Sequence, residues 1–208
     1  MPRNTRLNPR KTAGQERSRA TVDALIEATA RILVREGFDR ASTNHVADVA
    51  GVSVGSLYQY FPSKEALVAA VVDRHTQKIQ RTVQAELIGI EAESLERGVR
   101  KLIAAAIEGH RVDPKLHAVV AEQIPRVGKL QKISDSSRAN ITRFREFLDS
   151  HQKEIRTLDL DLAAFVCVSS IEALTHNAVL HHAETFSTEA MHGLADEATR
   201  LIVGYLKK

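Results

Sequence analysis

The stretch GVSVGSLYQYFPSKEAL, residues 51–67, holds three of the nine aromatic residues in a chain of 208. It follows TNHVADVA, residues 43–50, so a glycine separates two short segments of helical character. Gly51 suits the left-handed backbone that a tight turn requires, and Ser53 can cap the second segment. We expect Thr43 to cap the first. A short helix, a tight turn and another short helix predict a helix-turn-helix unit.

The second of these short helices separates apolar from polar side chains. Leu57 and Phe61 are four residues apart, so spacing predicts that they face inward, together with Val46 and Val49 of the preceding helix and Val52 of the turn. The predicted outward-facing set is Val54, Gly55, Ser56, Tyr58, Gln59 and Tyr60. A glycine costs a helix roughly 1 kcal/mol relative to alanine. Gly55 therefore indicates that something outside the helix approaches its backbone closely.

The outward-facing side chains have the chemistry that reads DNA. Gln59 can pair bidentately with adenine, Ser56 can reach several base edges, and Val54 can contact a thymine methyl group. Hydroxyl and ammonium groups suit phosphate oxygens, and the candidates for that role are Thr43, Tyr58, Tyr60 and Lys64. For the two tyrosines, the alternative is a half-buried ring that packs on the preceding helix.

The rest of the chain is predicted to be helical, which gives an all-α fold. Apolar residues recur at helical spacing, and no alternating strand pattern or internal repeat is found. We expect a basic flexible arm over residues 1–16, a three-helix DNA-binding domain over 17–64 and a larger helical domain over 65–208. The two most apolar helices are predicted at 158–182 and 188–206. We expect these helices to form a dimer interface, in which they build a four-helix bundle with their symmetry mates. The alternative is that both helices belong to the core of a monomer.

Charge is distributed unevenly along the chain. Residues 1–19 hold six basic residues against one acidic residue, whereas the net charge of the whole chain is +3. Such a basic arm favours contact with nucleic acid or anionic lipid, and a solvated tail is the alternative. The single cysteine, Cys167, cannot form an internal disulfide, which favours a cytoplasmic protein. No stretch approaches the ~20 apolar residues of a membrane span, so no membrane contact is expected.

The run ASTNHVADVAGVSVGSLYQYFPSKEALVAAVV, residues 41–72, strongly resembles the N-terminal domain of the tetracycline-repressor (TetR) family. The resemblance implies an all-helical, two-fold symmetric homodimer. It also implies that the third helix of each protomer enters the major groove of a palindromic operator in double-stranded DNA. In this family a small-molecule effector binds the C-terminal domain, and its binding moves the reading heads so that repression lifts.

The resemblance assigns roles to individual residues of the motif. The base-facing positions are Val54, Gly55, Ser56 and Gln59, and the phosphate-facing positions are Tyr58, Tyr60 and Lys64. Thr43 and Asn44 fall where the family contacts phosphate and sometimes a base. Some members have arginine at the position of Asn44, and since asparagine can still read adenine, this departure changes the expected operator. The basic arm resembles extensions that reach the neighbouring minor groove.

The C-terminal half offers candidates for a ligand pocket, which needs apolar walls and a few convergent polar groups. The candidate wall residues are Phe144, Phe147, Phe165 and Val168. The candidate orienting residues are His117, Glu122, Gln123, Glu172, His176 and Asn177. Core packing or a place in the dimer surface is the alternative for each. The histidines at 176, 181, 182 and 192 have no cysteine or carboxylate to complete an obvious tetrahedral set, so no metal and no cofactor are expected.

These observations favour a ligand-responsive DNA-binding transcriptional regulator, most often a repressor in the family that the motif resembles. One rival is a helical enzyme that uses Cys167, Glu172 and His176, and another is a small-molecule-binding protein without DNA binding. The sequence contains no nucleophile elbow, phosphate loop, zinc-binding pair or dinucleotide fingerprint. We therefore predict that the protein is not an enzyme.

Overall fold

The computed structural model describes residues 16–123, 127–128, 130–157, 159–181 and 188–207. Within these ranges the regular structure is helical, and the bridge between Ile155 and Lys207 is an isolated antiparallel pair. The all-α prediction is confirmed. The helices are α1 (Glu16–Glu36), α2 (Thr43–Ala50), α3 (Val54–Tyr60), α4 (Lys64–Glu86), α5 (Leu95–Arg111), α6 (Pro114–Gln123), α7 (Leu130–Ser150), α8 (Leu160–His181) and α9 (Thr188–Leu206), with a short 3-10 helix at Ile90–Ala92.

Contacts within the chain form two compact units. The first comprises the residues up to Gln77 together with Lys115–Leu130, and the second comprises Lys78–Pro114 and Gln131–Lys208. These units do not follow the boundary predicted after residue 64, because the first half of α4 shares an apolar core with α1, α3 and α6. Apart from Glu16, the predicted basic arm lies outside the described residues, as does the break predicted at residues 184–187.

The core of the first unit explains why its short helices are stable. Leu25, Ile32 and Leu33 of α1 are almost completely buried, as are Leu57 of α3 and Phe61 after it. Full burial of one such side chain contributes roughly 1.5–3 kcal/mol. A seven-residue helix such as α3 would not persist alone, so this packing is what holds it in place.

In the second unit, α5 packs against both α8 and α9. Leu95, Val99, Ile103 and Ile107 recur every fourth residue along α5 and are buried, which is the stripe expected of an amphipathic helix. Gly98 lies on the same side, where the ring of Phe147 occupies the space that a side chain would need. The glycine therefore allows α5 and α7 to approach closely.

Helix α8 departs from one sequence-based expectation. By length and composition, residues 160–180 are long and apolar enough to cross a membrane. The expectation that no stretch of the chain approaches such a span was therefore wrong. The core helix of a soluble protein passes the same test. One side of α8 is buried through Ala163, Ala164, Cys167 and Val168. Burial of that side accounts for much of its apolar composition.

Candidate nucleic-acid interface

Helices α2 and α3 form the predicted helix-turn-helix unit. Ser53 caps α3 by accepting a hydrogen bond from the backbone N–H of Ser56 (3.1 Å), as predicted. Gly51 has a left-handed backbone with φ of 67° and ends α2, also as predicted. The predicted cap of α2 was wrong by one residue. Ser42, which is extended, accepts from the backbone N–H of His45, and Thr43 is the first residue of the helix.

The outer side of α3 is open to solvent. Leu57 is fully buried, whereas Val54 and Tyr58 are 36% and 42% exposed, and Gly55 and Gln59 are exposed as well. A Cβ atom added at Gly55 would meet only the Ser53 Oγ, at 3.9 Å. Neither the backbone conformation nor the packing of the described residues requires glycine here. The surface at Gly55 is therefore open to a close approach from outside.

Two hydroxyl groups meet at the edge of this surface. Thr43 Oγ1 lies 3.1 Å from the hydroxyl oxygen of Tyr58, which joins the first turn of α2 to the middle of α3. Asn44 is exposed beside them. The ring of His45 contacts the Glu36 carboxylate at 3.1 Å. The structure therefore brings together three of the predicted DNA-binding residues, namely Thr43, Asn44 and Tyr58.

Tyr60 and Lys64 are placed differently from the other predicted contacts. The prediction that the Tyr60 ring faces outward is wrong, because Tyr60 is only 7% exposed and packs in the core of the first unit. At 100° per residue, Tyr60 lies only 60° from Leu57 around α3, so its ring is drawn towards the buried side. The Lys64 ammonium lies 3.8 Å from the centroid of the Phe38 ring. This cation–π contact was not anticipated from the sequence.

A polar cleft lies between the start of α1 and α3. Its volume is about 300 Å³, and its lining consists of Ser18, Thr21, Val52, Ser53, Ser56, Gln59 and Tyr60. Ser18 and Thr21 were not among the residues predicted from the sequence to contact DNA. A signal was available, since both hydroxyl residues fall on one side of the first turns of a helix that begins in a basic segment.

The predicted ligand-binding residues of the second unit fall into a core group and a polar group. Phe144 and Phe147 stack with ring centroids 5.8 Å apart, and both are buried in the same core as Val168. The Glu172 carboxylate accepts hydrogen bonds from Ser137 Oγ (3.0 Å) and Asn140 Nδ2 (3.4 Å) of α7.

His176, one turn after Glu172 on α8, packs edge-to-face against His110 of α5, with ring centroids 5.4 Å apart. Its predicted neighbour Asn177 is exposed and donates to the Ala173 carbonyl of its own helix (2.8 Å). The partners Ser137, Asn140 and His110 were not predicted, because they lie on other helices and local sequence does not show which helices meet.

The remaining predicted ligand residues lie elsewhere. Phe165 is 54% exposed and lies outside the core. His117 and Glu122 belong to the first unit, where a ring nitrogen of His117 lies 3.0 Å from one of His75, and Glu122 is exposed. Gln123 is buried, and among the described atoms its Oε1 has no hydrogen-bond partner. The side chains of residues 181 and 182, two of the histidines considered as metal ligands, lie outside the described part of the chain.

Cys167 is enclosed by the core of the second unit. Desolvation raises the pKa of its thiol from 9.0 to about 12. The thiolate is the reactive form of cysteine, so this side chain is neutral and unreactive near neutral pH.

Helices α8 and α9 both carry large apolar side chains on the surface. Leu162 and Phe165 of α8 and Leu201 of α9 are each more than half exposed. The two helices pack against each other within the second unit. Exposed apolar surface of this kind is typical of a protein interface.

Two family models match the chain. The model described as "Bacterial regulatory proteins, tetR family" matches residues 25–71, which include α2, α3 and the start of α4. The model described as "Tetracyclin repressor-like, C-terminal domain" matches residues 94–206. Together they cover the helix-turn-helix unit and most of the second unit.

Individual relatives agree with these matches. The HTH-type transcriptional repressor KstR of Mycolicibacterium smegmatis is 35% identical over 77 residues, covering 36% of this chain and 38% of KstR. The HTH-type transcriptional regulator BetI of Cronobacter sakazakii is 27% identical over 186 residues, covering 85% and 87%. The first two curated relatives, KstR and the BetI of Vibrio atlanticus, are matched over less than half of their length, 38% and 46%.

Among solved structures, the fatty acid degradation regulator FadR of Bacillus halodurans has the same fold. Its TM-score is 0.66 at 21% identity, and the alignment covers 88% of this chain and 95% of FadR. The sequence resemblance over α2 and α3 is therefore accompanied by agreement in fold along most of the chain. Since the C-terminal model alone covers more than half of the sequence, the protein belongs to the TetR family of bacterial regulatory proteins.

Proposed function

We propose that the protein is a transcriptional repressor that binds a palindromic operator as a homodimer and is released by a small-molecule effector. The observation that carries the proposal is the open side of α3, where Val54, Gly55 and Gln59 are exposed beside the paired hydroxyls of Thr43 and Tyr58. Relatives that match this chain are named as transcriptional repressors and regulators. In this proposal the chain acts in the cytoplasm and is not an enzyme.

The reading head follows from the exposed groups of α2 and α3. Gln59 and Ser56 read base edges in the major groove, and Val54 contacts a thymine methyl group. Because Gly55 has no Cβ atom, the helix backbone can approach the bases closely. Thr43, Tyr58 and Lys64 donate to phosphate oxygens and fix the register of the helix on the duplex, while Asn44 reads a base or donates to phosphate.

The exposed apolar residues of α8 and α9 support the proposed dimer. Burial of the exposed side chains of Leu162, Phe165 and Leu201 against a second copy would stabilise the dimer. In the proposed bundle these two helices pack against the same two helices of the partner. The resulting dimer carries two α3 helices, one for each of two half-sites about 34 Å apart. Phe165 then contributes to the interface and not to a ligand pocket.

The second unit supports an effector site. Glu172 is a half-buried carboxylate in a largely apolar helix, and it accepts hydrogen bonds from Ser137 and Asn140. Buried polar groups are costly unless they are paired, and here α7 supplies the partners. We propose that Glu172 and His176 orient the polar end of an effector whose apolar body packs on Phe144, Phe147 and Val168.

Selection of duplexes from a random-sequence library by the full-length protein tests the DNA-binding part. We expect recovery of a palindromic sequence that binds at two protomers per duplex and at least a thousandfold more tightly than random DNA at the same salt concentration. Recovery of no common sequence, with weak and equal binding to all duplexes, would contradict the proposal and favour a ligand-binding protein without DNA binding.

Two variants separate base reading from backbone contact. Gln59→Ala should relax the preference at one operator position and leave binding to random DNA unchanged. Lys64→Met should weaken binding to all sequences alike and reduce the slope of log K against log salt by about 1. An equal loss of sequence preference in both variants would contradict this division. Thermal melting is the control for Lys64→Met, because the contact with Phe38 is also removed.

A further inference from the structure

Glu172 of α8 carries a charge in apolar surroundings. Between Ala163 and Leu180, α8 contains no other aspartate or glutamate and no lysine or arginine. Glu172 is half-buried, and one turn before it Val168 is only 4% exposed and belongs to the core of the second unit. A carboxylate that is partly removed from water loses hydration, which its partners have to replace. The partners of Glu172 therefore indicate what else this site can bind.

Within the described part of the chain, the hydrogen-bond donors to Glu172 are neutral groups of α7. Ser137 Oγ donates to Oε2 at 3.0 Å, and Asn140 Nδ2 donates to Oε1 at 3.4 Å. The second distance is longer than the usual range of about 2.7–3.2 Å for an N–H···O bond. A carboxylate has lone pairs for about four hydrogen bonds, so Oε1 in particular can accept a further donor.

The charge of Glu172 has no counter-charge among the described residues, where no lysine, arginine or histidine forms an ion pair with it. Two arginines on the same stretch of α7 pair with other carboxylates. Arg138 pairs with Asp135. Arg145 pairs with Asp161 of α8. The two neutral donors therefore satisfy part of the hydrogen-bonding capacity of Glu172 and leave its negative charge uncompensated.

A purely structural link between α7 and α8 would not require this charge. A glutamine at position 172 could accept the hydrogen bond of Ser137 through its amide oxygen, and burial of a neutral amide costs less than burial of a charge. A cation beside Oε1 would replace the lost hydration and make the charge of Glu172 favourable. The unpaired charge thus favours a positively charged ligand over a neutral or negatively charged one.

The surroundings of Glu172 favour an organic cation over a metal ion. Ca²⁺ takes about six to eight oxygen ligands, whereas this site presents a single carboxylate with two neutral side chains. The apolar core begins within one turn on both helices, at Val168 of α8 and at Phe144, four residues after Asn140 on α7. An ammonium group joined to an apolar body needs one carboxylate and an apolar surface, and both are present here.

We propose that the effector is an amine whose ammonium group binds Glu172 and whose apolar body packs on Phe144 and Val168. This inference rests on the proposed function and names the chemical class of the effector. The ammonium group donates to Oε1, and Ser137 continues to hold Oε2. An alcohol of the same shape gains a hydrogen bond without the ionic attraction, and a carboxylic acid is repelled as its anion.

Matched ligands that differ only in their polar end test this effector class. Octyl and phenylbutyl bodies, each carrying an ammonium, a hydroxyl or a carboxylate group, are titrated calorimetrically into the full-length protein near neutral pH. We expect at least one of the two amines to bind roughly tenfold more tightly than the alcohol with the same body, because a half-buried ion pair is intermediate in strength between exposed and fully buried pairs. The same amine should release the selected operator at concentrations where its alcohol does not.

Two variants locate the ammonium group. Glu172→Gln removes the charge and keeps the shape of the side chain, so it should lower the affinity for the amine to that for the alcohol. Glu146→Gln is the control, because Glu146 is an exposed residue of α7 and the same charge is removed from the same unit. It should retain the preference for the amine. Thermal melting establishes that both variants fold. If Glu172→Gln does not, a crystal structure of the wild type with the amine should place its nitrogen within hydrogen-bond distance of Oε1.

The outcomes separate the effector class from the proposed function. Equal binding of amine and alcohol, no binding of either amine, a preference that survives in folded Glu172→Gln, or a nitrogen located elsewhere would each overturn the inference. If the wild type nevertheless selects an operator, the repressor proposal stands and only the effector class is wrong. If the wild type selects no operator, the proposed function fails, and the titrations still decide whether Glu172 binds amines.

Discussion

The hydroxyl oxygens of Thr43 and Tyr58 lie 3.1 Å apart, although the two residues are 15 positions apart in the chain. Only one hydrogen lies between the two oxygens, and each hydroxyl has one hydrogen to donate. One hydrogen therefore remains for an external acceptor. The contact also joins the start of α2 to α3, so the two helices present this donor together.

The hydroxyl pair predicts coupled effects on DNA binding. Tyr58→Phe should weaken binding to operator and random DNA alike, by roughly fivefold to tenfold, because a phosphate contact is lost. Thr43→Val should have a similar effect, and the double variant should be little worse than either one. A double-mutant cycle on DNA affinity measures this coupling. Strictly additive losses would show that the two hydroxyls act on different phosphates.

Gly55→Ala should have opposite effects on folding and on DNA binding. The site has room for a methyl group and no positive φ, so alanine should raise the free energy of unfolding by up to about 1 kcal/mol. The same methyl group would point towards the bases and reduce operator affinity. Chemical denaturation and DNA titration of one preparation measure both. Unchanged operator affinity would mean that the backbone of α3 does not approach the DNA closely at Gly55.

The exposed apolar residues of α8 and α9 predict a specific loss of dimerisation. Leu201→Glu should shift the protein towards monomer in light scattering and weaken operator binding at least tenfold, because two half-sites are no longer read together. Ile88→Glu is the control, since Ile88 is 76% exposed but lies outside these helices. A dimer that survives Leu201→Glu at micromolar concentration would exclude this surface as the interface.

Two glycines of the second unit predict opposite effects on stability. Gly98→Ala should lower the free energy of unfolding by about 1–3 kcal/mol, because the ring of Phe147 occupies the space of the new methyl group. Gly193→Ala, in α9 with no atom within 4 Å of the added Cβ, should raise it by up to about 1 kcal/mol. Denaturant unfolding of the wild type and the two variants measures both changes. Equal effects of the two substitutions would contradict the packing of α5 on α7.

Burial of Cys167 predicts a pH dependence of stability. The folded thiol has its pKa raised from 9.0 to about 12, so between these pH values the unfolded chain binds fewer protons than the folded chain. The free energy of unfolding should then fall with rising pH more steeply than in Cys167→Ala, with a difference in slope that grows from about 0.7 kcal/mol per pH unit at pH 9 towards about 1.4 kcal/mol per unit. Measurements between pH 9 and 10.5 compare the two slopes. Parallel curves would indicate that the thiol is accessible in the native protein.

Much of the DNA-binding surface could be predicted from local sequence. Ser53, Gly51 and the inward spacing of Leu57 and Phe61 define caps, a turn and a buried side, and each depends on residues within one or two helical turns. The same reliance on local sequence explains why the ring of Tyr60 was wrongly predicted to face outward. Periodicity along α3 leaves its ring near the border of the buried side, and only the core formed with α1 and α4 decides that the ring is covered.

Short-range patterns of capping, turn and apolar residues were enough to predict that the chain is helical, that it contains a helix-turn-helix unit and that it resembles the TetR family. Which side chains meet across helices follows from the tertiary structure alone. The pairing of Thr43 with Tyr58, the partners of Glu172 on α7 and the cleft between Ser18 and Tyr60 all join residues distant in the chain. Their proximity is set by the packing of whole helices, which no local pattern specifies.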